Sequence, residues 1–158
     1  MVNASVSGET TLGGRNRLPP LLATHKPAVV IVELGANDAL RGADLATTRA
    51  NLKAIAVAAR AANAAVLIIG MRIPPNYGPD YTSGFHALFA DVAKETRSAL
   101  VPFMLAAFAE RREMFQEDGL HPVAGAQPLI LDTVFPQLKP LLQRTKARAA
   151  SLSVDPAA

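Results

Sequence analysis

The residues with the clearest chemical potential lie in the segment Asp118-Gly119-Leu120-His121-Pro122. An aspartate beside a histidine can hold the imidazole in one tautomer and stabilise the imidazolium that forms when the ring accepts a proton. Histidine is the usual general base because its unperturbed pKa lies near neutrality. Asp118 and His121 are close enough in sequence to share one turn. The pair therefore predicts a general base with its orienting acid, although a plain surface turn before a helix has the same pattern.

Two other loops carry small and polar residues that could stabilise a negatively charged oxygen. Gly35-Ala36-Asn37-Asp38 directly follows an apolar segment, and the side-chain amide of Asn37 could donate an N–H group to a developing oxyanion. Gly8 follows Ser7 and could leave its backbone N–H exposed to the same oxygen. Each loop also has a structural interpretation, as a strand-ending turn in which Asp38 caps a nearby group and as a glycine turn.

The elements that must position these loops follow an alternating pattern. Residues 28–34 and 64–70 form two nearly continuous apolar runs, which predict parallel strands buried on both faces. Residues 44–63 between them have helical spacing, with Asp44 as the N-cap. Alternating strands and helices predict an α/β domain with a parallel sheet, and such sheets bind ligands beyond the carboxyl ends of their strands. The remaining predicted elements are short strands over residues 1–6 and 100–103 and helices over residues 11–25, 81–97 and 123–142.

Length, composition and charge exclude several classes of protein. The 158 residues are half hydrophobic and contain no cysteine, which predicts one domain without disulfides or thiolate metal sites. The net charge of +3 comes with two Tyr, six Phe and no Trp, a composition that does not favour nucleic-acid binding. No apolar run is long enough for a membrane span. We expect the domain to occupy residues 1–142 and residues 143–158, rich in alanine and basic groups, to form a flexible tail.

Three sequence features, taken in order along the chain, resemble the later sequence blocks of the SGNH (GDSL) hydrolases. They are Gly8, the G-x-N-D motif after a buried strand, and the D-x-x-H motif near the C-terminal end. The resemblance extends over about residues 2 to 140. Within this family, the sequence resembles bacterial acyl-CoA thioesterases/lysophospholipases and arylesterases. The segments that carry it are residues 2–10, 32–42, 71–78 and 116–122.

This resemblance implies a three-layer α/β/α sandwich of the flavodoxin-like type and hydrolysis of esters or thioesters through an acyl-serine, without metal or cofactor. It assigns His121 as the general base, Asp118 as its orienting acid, and Gly8 and Asn37 as oxyanion donors. The expected partner is a small acyl ester or thioester, with no nucleic acid. The predicted substrate contacts are Leu40, Arg41, Asn76 and Tyr77, although the prolines before Asn76 could serve only to stiffen the loop and Arg41 could be a plain exposed residue.

The sequence departs from the family at its start. Family members open with a strand that ends in a G-D-S-L motif, whose serine is the nucleophile, whereas this sequence begins at the family's second strand. Ser5 and Ser7 match positions that are not the nucleophile, so we expect no nucleophile and little activity from this chain alone. The alternative is a non-catalytic remnant that binds acyl ligands or a partner.

The absent strand also bears on structure and location. In the family the first strand lies inside the sheet, between the second and third, so its absence is expected to leave unpaired backbone groups on both neighbours. Either the second strand re-pairs, or another chain fills the gap by self-association, or the fold is unstable. The resemblance suggests a periplasmic enzyme, yet residues 1–5 lack the pattern of a signal peptide, which predicts a cytoplasmic chain as written. His25 and His86 are expected to face solvent rather than bind a metal.

Overall fold

The computed structural model describes residues 1–152, in which helices alternate with three short strands. Short 3-10 turns cover Pro75–Tyr77, Arg112–Met114 and Ala124–Ala126. The helices and strands are, in chain order, α1 Thr11–His25, β1 Val29–Val32, α2 Ala36–Leu40, α3 Leu45–Ala61, β2 Ala65–Ile69, α4 Pro79–Thr96, β3 Ala99–Val101 and α5 Gln127–Leu152.

The three strands form one parallel sheet in the order β1-β2-β3, with Val30 opposite Val66 and Ile68 opposite Leu100. On one face, side chains of α1, α3 and α4 pack against alternate strand residues such as Val32. On the other face, α5 packs against the intervening strand residues, which form a separate cluster. The predicted α/β/α layers are therefore confirmed. The parallel order places the loops after all three strands at one edge of the sheet.

The helices begin and pack as their sequences predict. The Asp44 side chain accepts a hydrogen bond from the Thr47 N–H at 2.8 Å and caps α3. In α4 the large apolar residues at helical spacing are buried, as expected. Helix α1 tolerates Pro19 and Pro20 because both are exposed, so carbonyl groups left without a donor can bond to water.

The prediction of a strand over residues 1–6 is wrong. These residues are exposed and have no regular secondary structure. A strand exists only where a neighbour supplies backbone hydrogen bonds, and within residues 1–152 no strand pairs with this segment or with the outer side of β1.

The prediction that the first apolar run is buried on both faces is also wrong. In β1, Val32 is buried, whereas Ile31 is 48% exposed. Val30 and Val32 pack with the helices on one face, so the alternation of side chains turns Ile31 toward the face of α5. Helix α5 packs mainly on β2 and β3 and leaves Ile31 uncovered.

Helix α5 extends beyond the position near residue 143 where the ordered domain is predicted to end. It continues to Leu152, and residues 153–158 lie outside the described residues. The predicted boundary between domain and flexible tail stays a prediction. Over the described part of the chain, no helix combines the length and apolar character that a membrane crossing requires.

Candidate active site

The segment that carries Asp118 and His121 is a tight turn closed by backbone hydrogen bonds. Phe115 and Pro122 form an antiparallel bridge, and the Gln116 N–H donates to the His121 carbonyl at 2.8 Å. Gly119 inside the turn has a φ of 71°, a conformation that favours glycine. The turn therefore holds the two candidate catalytic residues on one short, closed segment.

Asp118 is bound by three hydrogen bonds from its own turn. One carboxylate oxygen accepts from the N–H groups of Leu120 and His121, at 2.8 and 3.0 Å, and the other lies 2.6 Å from His121 Nδ1. The backbone N–H of His121, the backbone N–H of Leu120 and the imidazole lower the pKa of Asp118 from 3.8 to about 2. Asp118 is therefore a carboxylate at neutral pH, and its position fixes the imidazole tautomer with the proton on Nδ1.

This tautomer leaves the other imidazole nitrogen, Nε2, free to accept a proton. The His121 side chain is 74% exposed, so the ring is accessible from solvent. Among the described residues, no group forms a hydrogen bond with Nε2. The arrangement has the geometry of an oriented general base without a bound proton donor.

Arg112 stabilises this turn and was not anticipated from the sequence. Its guanidinium donates to the carbonyl oxygens of Phe115, Gln116 and Glu117, at 3.2, 2.7 and 2.8 Å. Three successive carbonyls converge on one cation only after the turn has formed. Since no motif marks an arginine at this spacing, the sequence carried no signal for this contact.

The second part of the site joins the loop around Gly8 to the loop after β1. The Asn37 side-chain amide donates to the Glu9 carbonyl at 3.0 Å, which uses one amide hydrogen and leaves the other available. Gly8 is exposed with a φ of 71°, and within residues 1–152 its N–H has no acceptor. Within residues 1–152 the Gly8 N–H and the second hydrogen of the Asn37 amide thus have no acceptor, and both are available to stabilise an oxyanion.

The predicted substrate contacts next to these donors mainly bind backbone. Arg41 donates to the Gly8 carbonyl at 3.2 Å, a contact between the two loops. The Tyr77 hydroxyl donates to the Leu40 carbonyl at 3.1 Å, so the loop after β2 packs against the end of α2. Asn76 is exposed, and its side chain forms no hydrogen bond in the described part of the chain. Substrate contact by these four residues stays a prediction.

The structure joins Gly8, Asn37, Leu40, Arg41 and Tyr77 through hydrogen bonds, whereas the Asp118–His121 pair forms a unit of its own. Within residues 1–152 no hydrogen bond connects the two parts. Met71, which follows β2, connects the two parts through apolar packing. It contacts both the main core and the apolar cluster beneath the Asp118–His121 turn.

Among the described side chains, His25, His86, Ser5, Ser7, Ser83 and Ser98 form no hydrogen bond with Asp118 or His121. His25 is exposed as predicted, but His86 is half-buried, with Nδ1 enclosed and without a partner and Nε2 3.4 Å from Arg72, so the prediction that it faces solvent is wrong. Of Ser5, Ser7, Ser83 and Ser98, none forms a hydrogen bond with His121. The described residues contain no group of three histidine or acidic side chains that could hold a metal ion.

Comparison with known proteins identifies the family of this chain. Residues 1–127 match the family model described as GDSL-like lipase/acylhydrolase. Esterase TesA of Pseudomonas aeruginosa is 50% identical over 142 residues, covering 90% of this chain and 71% of that protein. Thioesterase 1/protease 1/lysophospholipase L1 of Escherichia coli strain K12 is 43% identical over 142 residues, covering 90% of this chain and 68% of that protein.

A crystal structure of TesA extends the similarity to three dimensions. It superposes with a TM-score of 0.86 at 50% identity and covers 89% of this chain and 78% of that one. Sequence, fold and family model agree over the same region that carries the three loops. The chain therefore belongs to the GDSL-like lipase/acylhydrolase family of carboxylic ester hydrolases.

Proposed function

We propose that this chain supplies the general base, its orienting acid and two oxyanion donors for the hydrolysis of acyl esters. The observation that carries the proposal is the Asp118–His121 pair, joined at 2.6 Å with Nε2 free and the ring accessible. In the reaction, Nε2 of His121 accepts the proton of the attacking serine hydroxyl, which the family's G-D-S-L strand supplies, and then gives it to the alcohol or thiol that leaves the acyl carbon. Asp118 stabilises the imidazolium between these two transfers. The N–H groups of Gly8 and Asn37 then stabilise the oxygen of the tetrahedral intermediate.

The names of the relatives support a proposal for the substrate class. The Pseudomonas aeruginosa protein is named an esterase, and the Escherichia coli protein a thioesterase and a lysophospholipase. An acyl ester, an acyl-CoA thioester or a lysophospholipid each presents the same acyl carbonyl to the proposed oxyanion donors. We therefore propose an acyl ester or thioester as the substrate and leave its alcohol or thiol part open.

We further propose that the chain alone lacks a nucleophile and hydrolyses esters at no more than a trace rate. Ser5, Ser7, Ser83 and Ser98 form no hydrogen bond with His121, and the side chains of Ser5 and Ser7 are exposed. Enzymes of this type that lose a triad member retain only residual catalysis over water. Binding of an acyl ligand without turnover is the second candidate function. The absence of a hydrogen bond between His121 and these four serines favours it.

Hydrolysis of p-nitrophenyl esters and labelling by a serine-directed phosphonate test both proposals. The purified chain should show trace hydrolysis and no label. A fusion that carries the family's G-D-S-L strand ahead of Met1 should hydrolyse the ester, and His121→Ala in the fusion should remove nearly all of kcat. A fusion that folds but stays inactive would favour the binding function, and phosphonate labelling of the chain alone would show that it contains a nucleophile.

The uncovered edge of β1 is proposed as a site of self-association. The Ala28 carbonyl accepts from the Ala65 N–H on β2, so the alternation of a parallel ladder turns the backbone groups of Val29 and Ile31 away from β2. Helix α5 contacts β1 and carries an exposed apolar stripe beside its packed face, formed by Leu131, Phe135 and Leu142. An unpaired strand next to apolar surface is a template for association.

A further inference from the structure

A buried polar cluster lies directly behind the two oxyanion loops. Asp38, Thr11 and Asn51 are 7%, 0% and 4% exposed, so the cluster is closed to solvent. The Asp38 carboxylate accepts from the Thr11 N–H at 2.9 Å and from the Thr11 hydroxyl at 2.5 Å. The Asn51 side-chain amide donates to the Thr11 hydroxyl oxygen at 3.2 Å, and Arg15 donates to the side-chain Oδ1 of Asn51 at the same distance. Every oxygen of the carboxylate therefore has a partner.

The position of this cluster relates it to the two proposed donors. Asp38 follows Asn37 directly, and Thr11 begins α1 three residues after Gly8. The two bonds from Thr11 thus connect the segment that carries one donor to the segment that carries the other. The Asn37 amide donates to the Glu9 carbonyl, so a third hydrogen bond joins the same two segments.

The strength of this connection follows from its chemistry. A buried carboxylate is costly unless it is hydrogen-bonded, so the cluster resists separation of its members. Hydrogen bonds to a charged acceptor are about twice as strong as neutral ones, and two bonds from one residue also fix orientation. The cap of α1 does not require Asp38, because the Thr10 side chain already accepts from the Gly13 N–H. The cluster therefore does more than cap the start of α1, because it also joins that start to α2, which carries Asp38.

We propose that Asp38, through Thr11, is the positioning residue that sets the separation between the Gly8 N–H and the Asn37 amide. The proposal rests on the proposed function, since it concerns the donors assigned there to the oxyanion. Asp38 itself contacts neither the reacting atoms nor a substrate in this arrangement. Its effect is to keep the two donors aligned without a substrate present, which is the preorganisation that an oxyanion site needs.

The test uses Thr11→Val in the full chain, because valine keeps the shape and the backbone N–H but removes the hydroxyl. Solvent exchange of the Asn37 side-chain amide and the chemical shift of the Gly8 amide, both measured by NMR, report the alignment directly. We expect exchange to accelerate about tenfold or more, the factor that corresponds to one lost hydrogen bond to a charged group. Thr11→Ser should restore the original rate.

The matched control is Thr48→Val, which removes another buried threonine hydroxyl, one that donates to the Asp44 carbonyl at 3.1 Å in α3. It should leave both Asn37 and Gly8 signals unchanged within about twofold. Equal effects of the two valine variants, or no effect of Thr11→Val, would overturn the proposal. Asp38→Asn provides a second variant with the same expected direction. Since exchange requires no hydrolysis, a failure of this proposal is distinguishable from a failure of the proposed function.

Discussion

Substitution of Ile31 by lysine should suppress self-association of this chain. Ile31 is 48% exposed on β1, next to backbone groups that no strand in residues 1–152 pairs. Lysine keeps a long side chain but introduces a charge, a device by which natural edge strands avoid pairing. The isolated chain is expected to form concentration-dependent oligomers, and Ile31→Lys is expected to shift them toward the monomer.

The size of the effect follows from the exposed area of Ile31. Complete burial of an isoleucine side chain contributes about 1.5–3 kcal/mol, so covering the exposed half contributes about 1 kcal/mol. A twofold-symmetric contact contains the residue twice, which gives about 2 kcal/mol or about 30-fold in the dimer Kd. Desolvation of the ammonium group adds to this figure, so 30-fold is the expected minimum.

Sedimentation equilibrium over a concentration series measures the Kd of both proteins. Val57→Lys is the matched control, because Val57 is 52% exposed but lies on α3, in the layer on the other side of the sheet. This variant should associate as the original chain does. An original chain that stays monomeric at all concentrations would refute the reasoning, and so would equal loss of association in the two lysine variants.

Three further predictions concern the site. In the fusion that carries the G-D-S-L strand, Asn37→Ala should lower kcat by about 10²–10³ as loss of an oxyanion donor does, and a change in KM alone would contradict this role. The Asp118 carboxyl should titrate near pH 2 by NMR. Its lowered pKa means that its contribution to folding is complete above its ordinary value of 3.8 and is lost as the pH falls through about 2; a midpoint near 3.8 would show that the turn does not hold it. Gly35→Ala should destabilise the fold by about 1–3 kcal/mol in urea unfolding, because Gly35 has a φ of 112° and a Cβ there would lie 3.4 Å from the Phe89 ring. The control Gly42→Ala, with a φ of 68° and open space around the Cβ, should cost less.

Several features of the fold and site were determined by the sequence alone. The periodicity of apolar residues predicted α3 and α4 with their buried faces, because a helix repeats its contacts at intervals of three and four residues. The Asp118–His121 contact was also predictable, because it joins residues that are close in sequence. A separation of three residues with a glycine between them suffices to form the turn. The order of the three loops identified the family, which the comparisons confirm.

Other features depended on tertiary structure. The sequence suggested Asp38 as a capping residue and Arg41 as a substrate contact or a plain exposed residue, but it did not indicate their partners. Asp38 accepts from Thr11 and Arg41 donates to the Gly8 carbonyl, across separations of 27 and 33 residues. The pattern of β1 predicted a strand buried on both faces, yet burial depends on which elements lie beside it, and in residues 1–152 neither a strand nor a helix covers Ile31. Contacts between distant segments depend on how the loops meet at the sheet edge. Local sequence patterns do not predict these contacts, because each hydrogen-bonding partner belongs to a different element of the fold.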